Sequence, residues 1–240
     1  MMPRFFCNSP PVGNAISLFG EDAVHIGRSL RMRLGDVITV CHDKTDYSCK
    51  ILKISDEAIE LEVISQSPSP EPSVSVTLFM AVPKLDKLEL IVQKATELGA
   101  VEIVPVLTQR CVSRPEQKQF AKKRERLAKI ALEAAKQSGR GIVPTVSDII
   151  SLECCIEKMR AMDLGLVCYE KGGKSLGKFR YSPGDSVGVL KGSEGGFSEE
   201  EIALCEQNGI KKIWLGERIL RCETAPISAI SIIMHLSGNM

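Results

Sequence analysis

Residues 185–226 read DSVGVLKGSEGGFSEEEIALCEQNGIKKIWLGERILRCETAP. An apolar run ending at Leu190 enters Lys191-Gly192-Ser193-Glu194-Gly195-Gly196-Phe197, and Ser198 with Glu201 at the third position forms a capping box that opens a helix over 198–207. A second strand-like segment, 210–215, enters Gly216-Glu217-Arg218. Strand, turn, helix and strand in this order belong to an alternation that predicts a mainly parallel α/β sheet covered on both faces. Ligands of such sheets bind outside the carboxyl ends of the strands, where both glycine-containing turns lie. Glycine permits positive φ and close backbone approach, so these turns suit a ligand cradle, although Gly-x-Glu-Gly-Gly alone fits a purely conformational turn equally well.

The same alternation extends upstream. Residues 74–82 read as a buried strand, and 86–98 place Leu88, Ile91, Val92, Ala95 and Leu98 on one helical stripe ended by Gly99. A strand at 101–104 follows. Ser113-Arg114-Pro115-Glu116 has the composition of a capping box with an early proline, opening a basic helix that Ser138-Gly139 closes. A helix over 149–162, strands over 164–169 and 185–190, and a last helix from Ala225, with Thr224 as its cap and Pro226 just inside, complete the order. Before residue 65 the pattern changes to short strands at 37–41, 47–54 and 58–64, which predict a small antiparallel barrel. The segment 65–72, with prolines at 68, 70 and 72, reads as an extended linker, placing domains at 1–68 and 73–240.

Composition narrows the class. The chain of 240 residues is 44% hydrophobic and 25% charged, as in ordinary globular proteins, and it has no apolar run long enough for a bilayer and no signal-peptide core, so a cytoplasmic location is expected. Nine cysteines without a Cys-x-x-Cys pair indicate neither a disulfide framework nor a zinc ribbon. With only His25, His42 and His235 available, no metal site is expected. The net charge of +1 conceals an asymmetry: residues 110–140 hold ten Lys or Arg against three acids. That fits a polyanion-binding face, and also a solvated helix face. No Gly-x-Gly-x-x-Gly follows a strand, Lys191-Gly192-Ser193 lacks P-loop spacing, and there is no Gly-x-Ser-x-Gly elbow.

A capped turn accounts for Thr224 and Pro226 but leaves Arg218, Arg221 and Glu223 unexplained. Leu215-Gly216-x-Arg218-Ile219-Leu220-Arg221-x-Glu223-Thr224-Ala225, preceded by Gly192-x-Glu194-Gly195-Gly196-Phe197-Ser198, resembles the cofactor-binding region of the small-subunit ribosomal RNA uridine-N3 methyltransferases of the SPOUT superfamily. The resemblance continues through Lys94-Ala95-Thr96-Glu97-Leu98-Gly99, Val104-Pro105, residues 133–140 and His25-x-x-Arg28-x-Leu30-Arg31. The family usually has proline where this chain has Ser193 and Glu217.

The resemblance implies a PUA-like β-barrel joined to a SPOUT α/β domain whose C-terminal chain forms a deep trefoil knot, a feature that general priors disfavour. It implies a homodimer with its site at the subunit interface, S-adenosylmethionine as cofactor, and methylation of N3 of a uridine in 16S ribosomal RNA of the small ribosomal subunit. Leu190, Gly192, Glu194, Gly195, Gly196, Leu215, Gly216, Arg218, Ile219, Leu220 and Ala225 are then expected at the cofactor. Arg221 and Glu223 are the candidates for chemistry: a cation to stabilise the deprotonated ring and an acid to act as base or orient that cation. Arg4, His25, Arg28, Arg31, Arg33, Lys122, Lys123, Arg126 and Arg140 are the expected RNA contacts. A non-catalytic RNA-binding or ribosome-assembly factor would keep the basic face without a working cofactor site, and a small-molecule α/β enzyme would bind no RNA.

Overall fold

The computed structural model describes residues 2–55, 57–84 and 86–240. The chain divides into two compact units, Met1–Glu71 with Ala135–Ile142, and Pro72–Ala134 with Val143–Met240.

The first unit is a five-stranded sheet of β1 (Arg4–Phe6), β2 (Ala15–Phe19), β3 (Val37–His42), β4 (Thr45–Ile54) and β5 (Ala58–Pro68), in the order β1-β3-β4-β5-β2. A short helix α1 (Glu21–Val24) continues as a π-helical turn, His25–Ser29. Alternation puts Ile16 and Leu18, Ile38 and Val40, Cys49 and Ile51, and Ile59 and Leu61 on one buried face with Phe5 and Ile26. The expected strands β3, β4 and β5 pair antiparallel, and β1, which the pattern does not reveal, runs parallel to β3. The proline-rich segment is not a free linker either: Ser65 to Pro68 pair with Ser48 to Thr45, and the Ser69 amide donates to the Lys44 carbonyl at 2.8 Å. Proline is tolerated there because Pro68 is the last residue of the strand, where a missing N–H costs little.

Residues 135–142 join this unit through Glu71. Its carboxylate accepts from Arg140 Nε and Nη2, both at 2.8 Å, and from the Gly141 amide at 2.7 Å. Lys136 pairs with Asp22 at 3.0 Å and lies 5.4 Å above the Phe5 ring.

The second unit holds a parallel sheet ordered β12-β10-β11-β6-β7-β8, with β9 also pairing to β7. Its strands are β6 (Ser75–Ala81), β7 (Ala100–Leu107), β8 (Thr145–Val146), β9 (Ile150–Ser151), β10 (Leu164–Cys168), β11 (Ser186–Lys191) and β12 (Lys211–Ile213). Its helices are α2 (Lys87–Glu97), α3 (Gln117–Ser138, whose last four residues belong to the first unit), α4 (Leu152–Arg160), α5 (Glu199–Gln207) and α6 (Thr224–Leu236). Both sheet faces are buried. Val76, Leu78 and Met80 pack with Leu88, Ile91, Val92, Ile230 and Ile233, while Phe79, Val104 and Leu190 pack with Ile156, Met159, Phe197 and Ile202. Each such aliphatic side chain contributes roughly 1.5–3 kcal/mol relative to exposure.

Three helix starts differ from expectation. α3 begins at Gln117 rather than beside Ser113, because Pro115 disfavours helical geometry at Arg114, the first position such a helix would need. α4 begins at Leu152, since 150–151 pair as β9 and the Ser151 hydroxyl caps Cys154. Thr224 is the first helical residue of α6 rather than its cap; Glu223 holds the cap position without a side-chain cap bond. The capping box of Ser198 and Glu201 is formed as expected.

Candidate functional site

Strand order places the site. From β6 the chain moves through α2 to β7 on one side, and from β11 through α5 it moves to the other, past β10 to β12. β6 and β11 are neighbours, so their carboxyl ends flank a crevice at the point where the winding reverses. A cavity of about 410 Å³ opens beyond the carboxyl ends of β10, β11 and β12, a size suited to a small-molecule ligand. It is lined from the end of β10 by Tyr169 and Glu170, from the 191–196 turn after β11, from residues 213–222 after β12, and by Lys87 and Ala225.

The 192–196 turn is fixed by its neighbours. The Gly196 amide donates to the Ser193 carbonyl at 3.0 Å and Gly196 has φ +66°, a left-handed conformation that side chains with Cβ disfavour. A Cβ on Gly195 would lie 2.9 Å from Arg110 Cβ and 3.1 Å from the Arg110 carbonyl. Arg110 Nη1 in turn donates to the Gly195 carbonyl at 3.1 Å. Ser193 is buried and its hydroxyl donates to the Arg110 carbonyl at 3.3 Å, a tether that a proline at this position lacks.

Lys87, in the first turn of α2, bridges the two turns. Its ammonium lies 3.0 Å from Glu194 Oε1, 3.3 Å from Glu223 Oε2 and 3.6 Å from Cys222 Sγ. The Cys222 thiol donates to Glu223 at 3.2 Å, and the Lys84 amide donates to both Glu194 oxygens at 3.3 Å. Burial would raise the Glu194 carboxyl, but the Lys87 ammonium and backbone amides outweigh it and hold it below the usual range. Glu223 is likewise held low, by its own amide, the Cys222 thiol and Lys87. Lys87 is raised chiefly by Glu194, and Cys222 is pushed up to about 12, first by burial and then by Glu223.

Of the residues expected at the cofactor, Glu194, Gly195, Gly196, Leu215, Gly216, Arg218, Ile219, Leu220 and Ala225 line the cavity. Leu190 does not: its side chain is fully buried in the core beneath the turn. Gly192 lies behind Gly196 and Phe197, against which a Cβ would press at 3.1 Å. Arg221 lines the cavity, exposed and without an ion pair among the described residues, as does Arg218. Glu223 is absent from the lining and is turned to Lys87 rather than Arg221. Sequence reading missed Lys87, Tyr169, Glu170 and Trp214. Their only signal is position just after strand ends, and for Lys87 not even that distinguishes it from the solvent-facing lysines of an ordinary helix.

The expected RNA contacts separate into two groups. His25, Arg28, Arg31, Arg33, Lys122 and Arg126 are exposed and Lys123 is half-buried, with Arg126 pairing to Glu89 at 2.9 Å while remaining 67% exposed. Arg4 and Arg140 point inward, contrary to expectation. Arg4 is ion-paired to Asp46 and donates to the Arg140 carbonyl, and the Arg140 side chain is 4% exposed against Glu71. A guanidinium satisfied by a buried carboxylate is not available to a phosphate.

The family model for the RNA methyltransferase domain matches residues 69–234, and that for the RNA methyltransferase PUA domain matches 19–64. Ribosomal RNA small subunit methyltransferase E of Bacillus subtilis is 38% identical over 91% of this chain and 89% of its own. The protein of that name from Aquifex aeolicus is 30% identical over 93% and 95%. Among solved structures, ribosomal RNA small subunit methyltransferase E from Neisseria gonorrhoeae, bound to S-adenosyl methionine, superposes with a TM-score of 0.89 at 30% identity, covering 99% of this chain and 98% of that one. Fold and crevice thus define an RNA methyltransferase. Within that class, the chain belongs to the ribosomal RNA small subunit methyltransferase E family.

Proposed function

We propose that the chain methylates N3 of a uridine in 16S ribosomal RNA with S-adenosylmethionine as donor. The observation that carries this reading is the cavity at the carboxyl ends of β10, β11 and β12, with Arg218 and Arg221 on its lining and no ion pair to either among the described residues. The residues present fit the cofactor. Backbone from two glycine-containing turns, the apolar Leu215, Ile219 and Leu220, and the carboxyl of Glu170 suit a ligand that is part apolar and carries positive charge.

When bound, the cofactor supplies a sulfonium-activated methyl group whose bonding electrons stay on sulfur as the new N–CH3 bond forms. The chain must orient the uridine in line and stabilise the negative charge left when the N3 proton departs to solvent water. Arg221 meets the second need, as an unpaired cation at the cavity. The alternative role of Glu223 as base is set aside, because a carboxylate held low by its own amide, the Cys222 thiol and Lys87, and absent from the cavity lining, is a poorer proton acceptor. RNA would be gripped by the exposed face of α3 through Lys122, Lys123 and Arg126, and by His25, Arg28, Arg31 and Arg33 of the first unit, with 1–68 as the RNA-binding domain and 73–240 as the catalytic one.

The family resemblance adds a cytoplasmic homodimer and a knotted C-terminal chain. The knot is supported by α6 returning from the sheet edge to pack on β11 and α2. The dimer is supported by the 86% exposure of Ile219 beside the cavity. Reverse transcription across 16S RNA from a strain lacking the gene tests the function. A single stop should disappear and return with the intact gene but not with Arg221→Ala; an unchanged pattern of stops rules the reading out.

A further inference from the structure

We infer that Lys87 is a positioning residue that sets the separation of the two turns walling the cofactor cavity, acting through Glu194 on one and Cys222–Glu223 on the other. The assignment rests on reading the cavity as the cofactor site. An ammonium has three N–H donors, and Lys87 meets three acceptors: Glu194 Oε1 at 3.0 Å, Glu223 Oε2 at 3.3 Å and Cys222 Sγ at 3.6 Å. These contacts direct the Lys87 ammonium to the two turns, through which it acts on the cavity.

The tie joins segments far apart in sequence. Lys87 opens α2, while Glu194 follows β11 and Glu223 precedes α6. Lys87 lies against carboxylates of both the 192–196 turn and the 215–223 segment, and so ties these two walls to each other. The three side chains are partly shielded, at 27%, 28% and 19% exposure, where charge interactions are screened less than at an open surface. Without the ammonium, two carboxylates held in the ionised form would face each other with no cation between them. Their repulsion would part the turns and free them to seek Arg218 and Arg221, disturbing the lining at both ends.

The test uses the full chain with calorimetric titration of S-adenosylmethionine and S-adenosylhomocysteine, and single-turnover methylation of the small ribosomal subunit over a range of cofactor concentrations up to saturation. Lys87→Met is expected to weaken both ligands by about tenfold or more, a loss that also appears as a higher cofactor concentration for the half-maximal single-turnover rate. Lys87→Arg should restore most of the affinity. Adding Glu223→Gln to Lys87→Met should recover part of it, because one of the repelling charges is gone; a purely structural lysine would show no such recovery. Should Lys87→Met fail to fold, Glu223→Gln alone carries the test, with an expected loss of about threefold. Unaltered affinities in these variants overturn the assignment alone, as does a fall in saturated rate at unchanged affinity. Absence of cofactor binding by the unsubstituted chain overturns the reading of the cavity and this assignment with it.

Discussion

At the scale of single residues, the charged side chains of the 215–223 segment divide between chemistry and architecture. Arg221 is available to a substrate because no carboxylate among the described residues pairs with it, and removing such a preorganised charge typically costs about 10²–10³-fold in rate. Arg221→Ala should therefore lower single-turnover methylation by about that factor; a loss under tenfold would return the arginine to an architectural role. Glu223 belongs to the other group. Its carboxyl and that of Glu194 are held below the ordinary range, so each contributes stability that is complete above the unfolded glutamate pKa, about 4.3, and is lost as pH falls through the lower folded value. Thermal melts between pH 7 and pH 3 should show a shallower acid loss in Glu223→Gln than in the unsubstituted chain, and superimposable curves would contradict the linkage. Both residues stand out in the sequence because a capped turn leaves them unexplained. Their different roles are not visible there, since the deciding partner, Lys87, lies far upstream.

At the scale of elements, α3 shows how far periodicity reaches. The 3.6-residue spacing marks Phe120, Leu127, Ile130, Ala131 and Ala134 as its apolar face, of which Ile130 is half-buried and the other four are buried. Reversing Lys122 and Arg126 to glutamate should weaken RNA binding at all sequences alike and flatten the dependence of log K on log salt by roughly one unit per lost phosphate contact. Filter binding at several salt concentrations checks this, and an unchanged slope would leave α3 as a solvated face. Element boundaries were less legible than element types. Pro115 delays the start of α3 through its effect on Arg114, and β5 runs on to Pro68 because β4 offers backbone partners that a proline-rich composition does not advertise.

At the scale of the whole molecule, the C-terminal portion of α3 and the residues after it belong to the first unit, held by the pair between Glu71 and Arg140. Glu71→Ala would remove the carboxylate that the buried Arg140 side chain and the Gly141 amide share, with an expected loss of about 3–5 kcal/mol in chemical denaturation. A loss below about 1 kcal/mol would show the pair to be dispensable. Arg140 sits in a basic run and reads there as an RNA contact; only the fold reveals its carboxylate. The α/β class, the two glycine-containing turns at strand ends and the 215–225 run that marks the family were all legible in the amino-acid order, because each depends on local periodicity, turn chemistry or short-range spacing. Folding in three dimensions was needed to make β6 and β11 neighbours, to bring Lys87 between turns remote from it, and to turn Arg4 and Arg140 inward while Arg218 and Arg221 stay at the cavity. A charged side chain's role is set by the partners that burial brings to it, and those partners are close in space while distant along the chain.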